Sequence, residues 1–336
     1  MAALAGAALS TGDARGVLAQ AVPPPPAPPR PAAPSDGAHV EAATEHLREM
    51  WHSLVRADNL FGPRHALAAV RQQLHLLDHL LGQAGGEQRV ELLRLAARYA
   101  ESAAWLHEDS ADLPNASAWT GRAMEWATES GDQAMVAWTL FRKSQQATTR
   151  GNAAQSVSLA QAVLRNEPVL TPSMRASALQ QAAHGHALDG DERACHSLLD
   201  EAHSFAASTE TKGDARSGHG DFCTPGYIEI QRANCWLALR RPDLAVPVFE
   251  RTLDHIPDAY QRDKGFAQAR LSKAYAETGR YEESAESAAS ALATARSSGS
   301  LRTMHETVAA VNVLGAAHTS PAVTMLFDSI SDEPEF

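Results

Sequence analysis

Residues 105–147 read WLHEDSADLPNASAWTGRAMEWATESGDQAMVAWTLFRKSQQA. Four of the six tryptophans, Trp105, Trp119, Trp126 and Trp138, fall inside this stretch, where apolar groups recur at three- and four-residue intervals, the period of a helix buried along one stripe. Two breaks divide it. DLPN at 112–115 supplies an N-cap carboxylate and a proline suited to a first helical turn, and SGD at 130–132 puts a glycine where a helix ends. The stretch is one helical unit handing over to the next.

Working outward, the same alternation of helix, short break and helix recurs. Periodicity predicts helices over about 40–57, 63–81, 87–107, up to 129, and then 132–149, 153–166, 172–188, 191–208, 226–239, 242–255, 260–277, 281–297 and 301–315. Breaks fall at Gly82, Gly151, Pro168, Gly190, Pro242, Pro257, Gly279 and Gly299. Residues 1–38 end in AVPPPPAPPRPAAPSDG, whose prolines lack N–H donors and favour extended polyproline; this is an Ala/Pro-rich tail or linker without a packed core. Its opening MAALAGAALS has no positive n-region, which argues against a secretory signal. The repeat domain then spans 39–330.

A repeat test sharpens the architecture. The tetratricopeptide pattern places a glycine at the turn between helices A and B, a small residue five positions later, a bulky one after four more and another small one after three more, because paired helices approach closely at the small positions. Gly190, Cys195, Leu199 and Ala202 follow it. Gly279, Ser284, Ala288 and Ala291 keep its small positions, Gly151, Ser156, Ala160 and Val163 match loosely, and Arg240 stands at the glycine place before Ala245, Phe249 and Thr252. The last small positions, Ala123, Val163, Ala202, Thr252 and Ala291, are spaced by 40, 39, 50 and 39 residues. The long interval locates a loop insertion at 209–226, TETKGDARSGHGDFCTPG. The expected fold is all-α, an α-solenoid of six or seven helix pairs, with one loop long enough to fold over a face.

Composition agrees and limits function. Hydrophobic residues make up 44% of the 336 and aromatics only 6%, which suits close-packed alanine-rich helices. The net charge of -11 argues against direct nucleic-acid binding. Three cysteines without a CxxC pair suggest neither a disulfide framework nor a zinc site and fit a cytoplasmic protein. No apolar run spans a bilayer, and HExxH, GxSxG, phosphate-loop and dinucleotide motifs are absent, so no cofactor is expected.

WLHEDSAD with WTGRAMEWA, FRKSQQA, HALDGDERACHSLLDEA, CTPGYIEIQRANCW and YQRDKGFAQARLSKAYAETGRYEESA resemble, in shared order, the tetratricopeptide-like regulatory part of actinomycete transcriptional regulators of the XRE helix-turn-helix class. The resemblance covers about residues 85–310. It implies a right-handed solenoid and a role in regulation, often of secondary metabolism. Residues 1–38 do not supply the helix-turn-helix that precedes the repeats in that class.

In such a solenoid helix A of each pair lines the concave face. Projection puts Trp138, Phe141 and Gln145, Gln180 and His184, and Tyr227, Ile230 and Asn234 there, with Arg142 and Lys143 flanking and able to pair with a carboxylate or phosphate. Trp105, Trp119 and Trp126 are expected to anchor the core. His184, His186 and His196 with Cys195 could suggest a metal, but His184 and His186 are two residues apart and diverge on a helix; no metal site is expected. His107, Asp109 and His184 are weak candidates for acid–base work. Three readings follow: a non-enzymatic sensor or adaptor for a small metabolite or peptide, a plain protein scaffold, and a biosynthetic enzyme recruited from the regulator scaffold. Expected partners are a groove ligand, another regulator protein and a second copy of the chain, with no membrane.

Overall fold

The computed structural model describes residues 37–207, 215–216, 218–315 and 320–331. The tail or linker reading of 1–38 thus lies outside the described residues except for its last two positions. Fourteen α-helices and three 3₁₀ turns make up the described elements, with no strand among them. They are α1 (Gly37–Phe61), α2 (Pro63–Leu81), α3 (Gly86–Asp109), α4 (Leu113–Glu129), α5 (Gln133–Thr149), α6 (Ala153–Leu164), α7 (Pro172–Leu188), α8 (Glu192–Ala206), α9 (Pro225–Ala238), α10 (Pro242–Thr252), α11 (Gln261–Glu277), α12 (Tyr281–Ser298), α13 (Leu301–Leu314) and α14 (Pro321–Ser331). Helix α14 extends the expected series by one and completes seven pairs.

Five of the seven pairs, α3–α4 to α11–α12, turn alike, as does the α4–α5 link. At Ala111, Gly131, Gly151, Gly190, Arg240 and Gly279 the chain turns with positive φ, and the next N–H reaches back to close the helix. Asp112 N–H donates to the His107 carbonyl at 2.8 Å, Asp132 to Ala127, Asn152 to Ala147, Asp191 to His186, Arg241 to Trp236 and Arg280 to Tyr275 at 2.9 Å, the bonding that stops a helix and lets another begin at once. Asp112, Asp132, Asn152 and Asp191 then cap the new helix through their side chains. Arg240 adopts φ 61 in the glycine place, a strained choice for a residue with a Cβ.

Within the pairs, the final small positions of the repeat, Ala123, Val163, Ala202, Thr252 and Ala291, are all buried. Ser144 Oγ donates to the Ser156 carbonyl, and Ser272 Oγ to the Ser284 carbonyl, each at 2.8 Å. These two bonds occupy equivalent places in different repeats, where small residues let one helix touch the backbone of its partner.

The series curls until its ends meet. Helix α1 packs on α11, α12 and the 3₁₀ turn Asp258–Tyr260, and α13 packs on α3. At this seam Gly62, between α1 and α2, has φ 74, and a Cβ there would lie 2.4 Å from the Ser298 carbonyl oxygen. Gly299 meets the Arg64 side chain in the same close manner. Gly62→Ala is therefore expected to cost about 2–4 kcal/mol, combining left-handed strain with a clash against backbone. Gly131→Ala, equally left-handed but with nothing within 4 Å, should cost only about 1 kcal/mol. Urea unfolding of the two variants checks the difference, and equal losses would remove the seam contact from the account.

Candidate functional site

The odd-numbered helices face inward and line a partly open cavity of about 710 Å³, within the range of small-ligand pockets. Helical spacing decides who lines it. On α3 these are Glu101, Trp105 and Glu108; on α5, Trp138, Arg142 and Gln145; on α7, Gln181, His184 and Leu188. Helix α9 adds Tyr227, Ile230, Gln231 and Asn234, α11 adds Asp263, Phe266, Arg270 and Lys273, α13 adds Arg302 and Glu306, and α1 adds Trp51 and Asp58. The described part of the inserted loop folds in as well. His219 stacks on Trp138 with ring centroids 5.4 Å apart, Phe222 packs at 6.1 Å from the same indole, and Arg216 pairs with Glu49 of α1 at 2.7 Å.

The seam forms one end of this cavity and is made of charge. Arg262 of α11 grips both carboxylate oxygens of Asp58 on α1, its Nη2 donating at 2.8 Å, and its Nε lies 3.3 Å from Asp109 Oδ2 on α3. Asp109 Oδ1 accepts from Ser300 Oγ at 2.8 Å and from Arg302 Nε at 3.0 Å. Asp109 is fully buried and Arg262 only 4% exposed. Burial alone would raise the Asp109 carboxyl, but Arg262, Arg302 and the Ser300 hydroxyl outweigh it and hold it below the usual carboxylate range. Four elements remote in sequence are fixed by this one cluster.

Trp105 bridges seam and cavity. The guanidinium carbons of Arg302, Arg142 and Arg262 lie 4.6, 5.1 and 5.6 Å from its ring centroid, so the indole is ringed by cations. Arg142 is fixed in turn by Glu101, which also accepts from Trp138 Nε1 at 3.1 Å, and by Gln145 Oε1 at 2.9 Å. Burial, helped by Arg270, pushes His184 down to about 3, and burial with Arg98 pushes His219 down to about 4; both imidazoles are neutral at pH 7. Asp263 moves the other way. Its side chain keeps 38% of its surface open on the chamber it lines, and desolvation by the surrounding walls raises its carboxyl despite Arg302 and Arg262.

Of the residues projected onto the groove, Trp138, Arg142, Gln145, His184, Tyr227 and Asn234 line the cavity. Phe141 does not: it is 1% exposed and lies behind Trp138, with ring centroids 4.4 Å apart. Gln180 is also turned into the core, where it accepts from Gln181 and donates to Gln231; the cavity position belongs to Gln181, one turn before His184. Trp105, expected in the core, is a cavity residue, whereas Trp138 lines the cavity and is nevertheless 3% exposed and packed on three rings. The candidates for acid–base work do not converge. His107 points to the capping carboxylate of Asp112, Nδ1 to Oδ2 3.0 Å, Asp109 belongs to the seam, and only His184 reaches the cavity. Among the described residues no group of three His, Cys, Asp or Glu could hold a metal, and no helix is long and apolar enough to cross a membrane.

The fold and its chamber define a helical-repeat protein of tetratricopeptide type whose superhelix closes around an interior. No protein-family profile and no curated protein matches the chain. Seven solved chains match. One is a Rap protein in complex with Competence and Sporulation Factor, which superposes with a TM-score of 0.56 at 14% identity, covering 88% of this chain and 87% of that one. The shared feature is the fold.

Two outcomes follow. Arg262→Ala should cost about 3–5 kcal/mol, since it leaves the Asp58 carboxylate buried without its partner and Asp109 with Arg302 and Ser300 alone, and a loss under 1 kcal/mol in chemical denaturation would deny the cluster its role. Folding also favours neutral His184 and His219, so the stability they contribute is complete above pH 6.5 and is lost as pH falls toward 4. At pH 5 each should have given up roughly 2 kcal/mol. Melting curves at pH 7 and 5 for the protein and for His184→Gln/His219→Gln should show a smaller acid loss in the variant.

Proposed function

We propose that this protein is a non-enzymatic sensor or adaptor that holds a compact ligand, a small metabolite or a peptide of a few residues, inside its closed solenoid and passes the occupied state to a partner regulator. One observation carries the reading: all seven odd-numbered helices border a single chamber, so an occupant touches first and last repeats together. In a solenoid each repeat contacts only its neighbours and small rotations add along the series. An occupant bearing on α1, α3 and α11 at once would act on the contact that closes the superhelix, and would bias its open and closed arrangements by its differential affinity for them.

Two further points support this. The similar Rap structure holds Competence and Sporulation Factor in complex, and the resemblance of the sequence to the regulatory part of XRE-type regulators is in keeping with an output in transcriptional control, as in secondary metabolism. The scattered positions of His107, Asp109 and His184 give the enzyme reading no constellation to use.

Native mass spectrometry of the protein isolated from its own host tests the proposal. A retained small molecule is expected, and its occupancy should fall at least tenfold in Trp105→Ala, whose ring lines the chamber. Trp138→Ala should instead lose about 3–5 kcal/mol of stability, as a packed indole does. Wild-type protein that carries nothing would favour a scaffold.

A further inference from the structure

Charge in the chamber does not cancel. At the seam end each guanidinium already has a carboxylate: Arg142 has Glu101, Arg262 has Asp58 and Arg302 has Asp109. Two carboxylates remain. Asp263 has Arg302 Nη2 at 3.6 Å, too long for a hydrogen bond, and the Arg302 charge is already shared with Asp109. The Glu108 side chain has no hydrogen bond and no ion pair among the described residues, although the residue is 7% exposed and lines the chamber. A buried carboxylate without a donor is costly, and such groups in native proteins call for an explanation. Of the chamber-lining arginines, Arg262 Nε, Arg270 Nε and Arg302 Nη2 have no acceptor, but all three atoms are sealed away from solvent and so are not presented to a ligand in the chamber.

We infer that the seam end of the chamber is a subsite for a cationic nitrogen, an alkylammonium or guanidinium group of the ligand, which Glu108 receives as its direct partner and Asp263 supports. This rests on the ligand-holding reading above and names the chemistry of what is held. Helical spacing puts Trp105 and Glu108 on one face of α3, so the group next to the cation meets the indole edge, and an aromatic or flat apolar body fits beside it. Burial raises Glu108 despite Arg142 and Arg302, and a cation placed against it would offset that desolvation. At the far end Lys273 on α11 lines the chamber with no ion pair among the described residues, the opposite charge from that at Glu108.

A matched pair of probes tests the subsite: 2-phenylethylamine and phenylacetate share a ring and differ in the sign of their charge. In calorimetric titration of the full chain the amine should bind and the acid should not, and Glu108→Gln should weaken the amine at least tenfold. The variant is isosteric and removes an unpaired buried charge, so its melting temperature should be equal or higher; a fall would signal a structural role and count against the subsite. Phenylacetate binding as tightly as the amine, no amine binding at millimolar concentration, or unchanged binding in Glu108→Gln would overturn it. A natural ligand recovered from the host without a cationic nitrogen would end this inference and leave the sensor reading standing. Glu108-dependent amine binding in a protein that carries no native ligand would do the reverse.

Discussion

The contact on which the rest depends is the grip of Arg262 on Asp58 and Asp109. A helical-repeat chain has no need to close, because each repeat buries its apolar face on the next and the series can end anywhere. Closure requires a contact between repeats far apart in sequence, and here it is made of charge rather than oil. Burying these groups costs much of what their attraction returns, so such a cluster is a weak source of net stability. What it supplies is direction. A guanidinium bound bidentately to one carboxylate while touching another fits one relative placement of α1, α3 and α11, and the close approach of Gly62 to Ser298 permits no other.

The seam also sorts neighbouring groups into different chemistry. Glu108 and Asp109 are adjacent on α3 and diverge by about 100° around its axis. Asp109 turns into guanidiniums and a hydroxyl and is held ionised. Glu108 turns into the chamber, finds no donor and is raised. Two carboxylates whose surroundings push them apart are a recurrent sign of divided labour, and the division here is between holding the ring shut and facing whatever fills it.

Much of this was readable from local pattern. The spacing of Trp138, Arg142 and Gln145 marks one face of α5, and His184, Tyr227 and Asn234 sit where the repeat register puts them. Phe141 and Gln180 failed because each lies a fraction of a turn from that face; Phe141 backs Trp138, and Gln181 takes the inward position. The turn chemistry was legible even where the residue was wrong for it, as at Arg240. Closure was not legible. Asp58 and Arg262 are 204 positions apart, and nothing in a 40-residue period says how far a superhelix curls, so the repeat register predicts the helices α11 and α13 but puts none of their residues on the groove, and it places Trp105 in the core. A signal existed in the charged pair Arg262 and Asp263 at the start of α11, but its partners could be named only in three dimensions.

Closure changes what the interior is. An open concave face presents side chains to bulk water, where charges are screened and cost little; a closed one holds them at low dielectric, where each unpaired group matters. The neutral His184 and His219 and the raised Glu108 and Asp263 are products of that change rather than of their own sequence neighbourhoods. Trp105 stands where the two environments meet, with Arg262 and Arg302 of the seam and Arg142 of the wall around one ring. A group that enters the chamber beside this indole alters the field felt by the arginines that keep the superhelix shut, so occupancy and closure share the same few side chains.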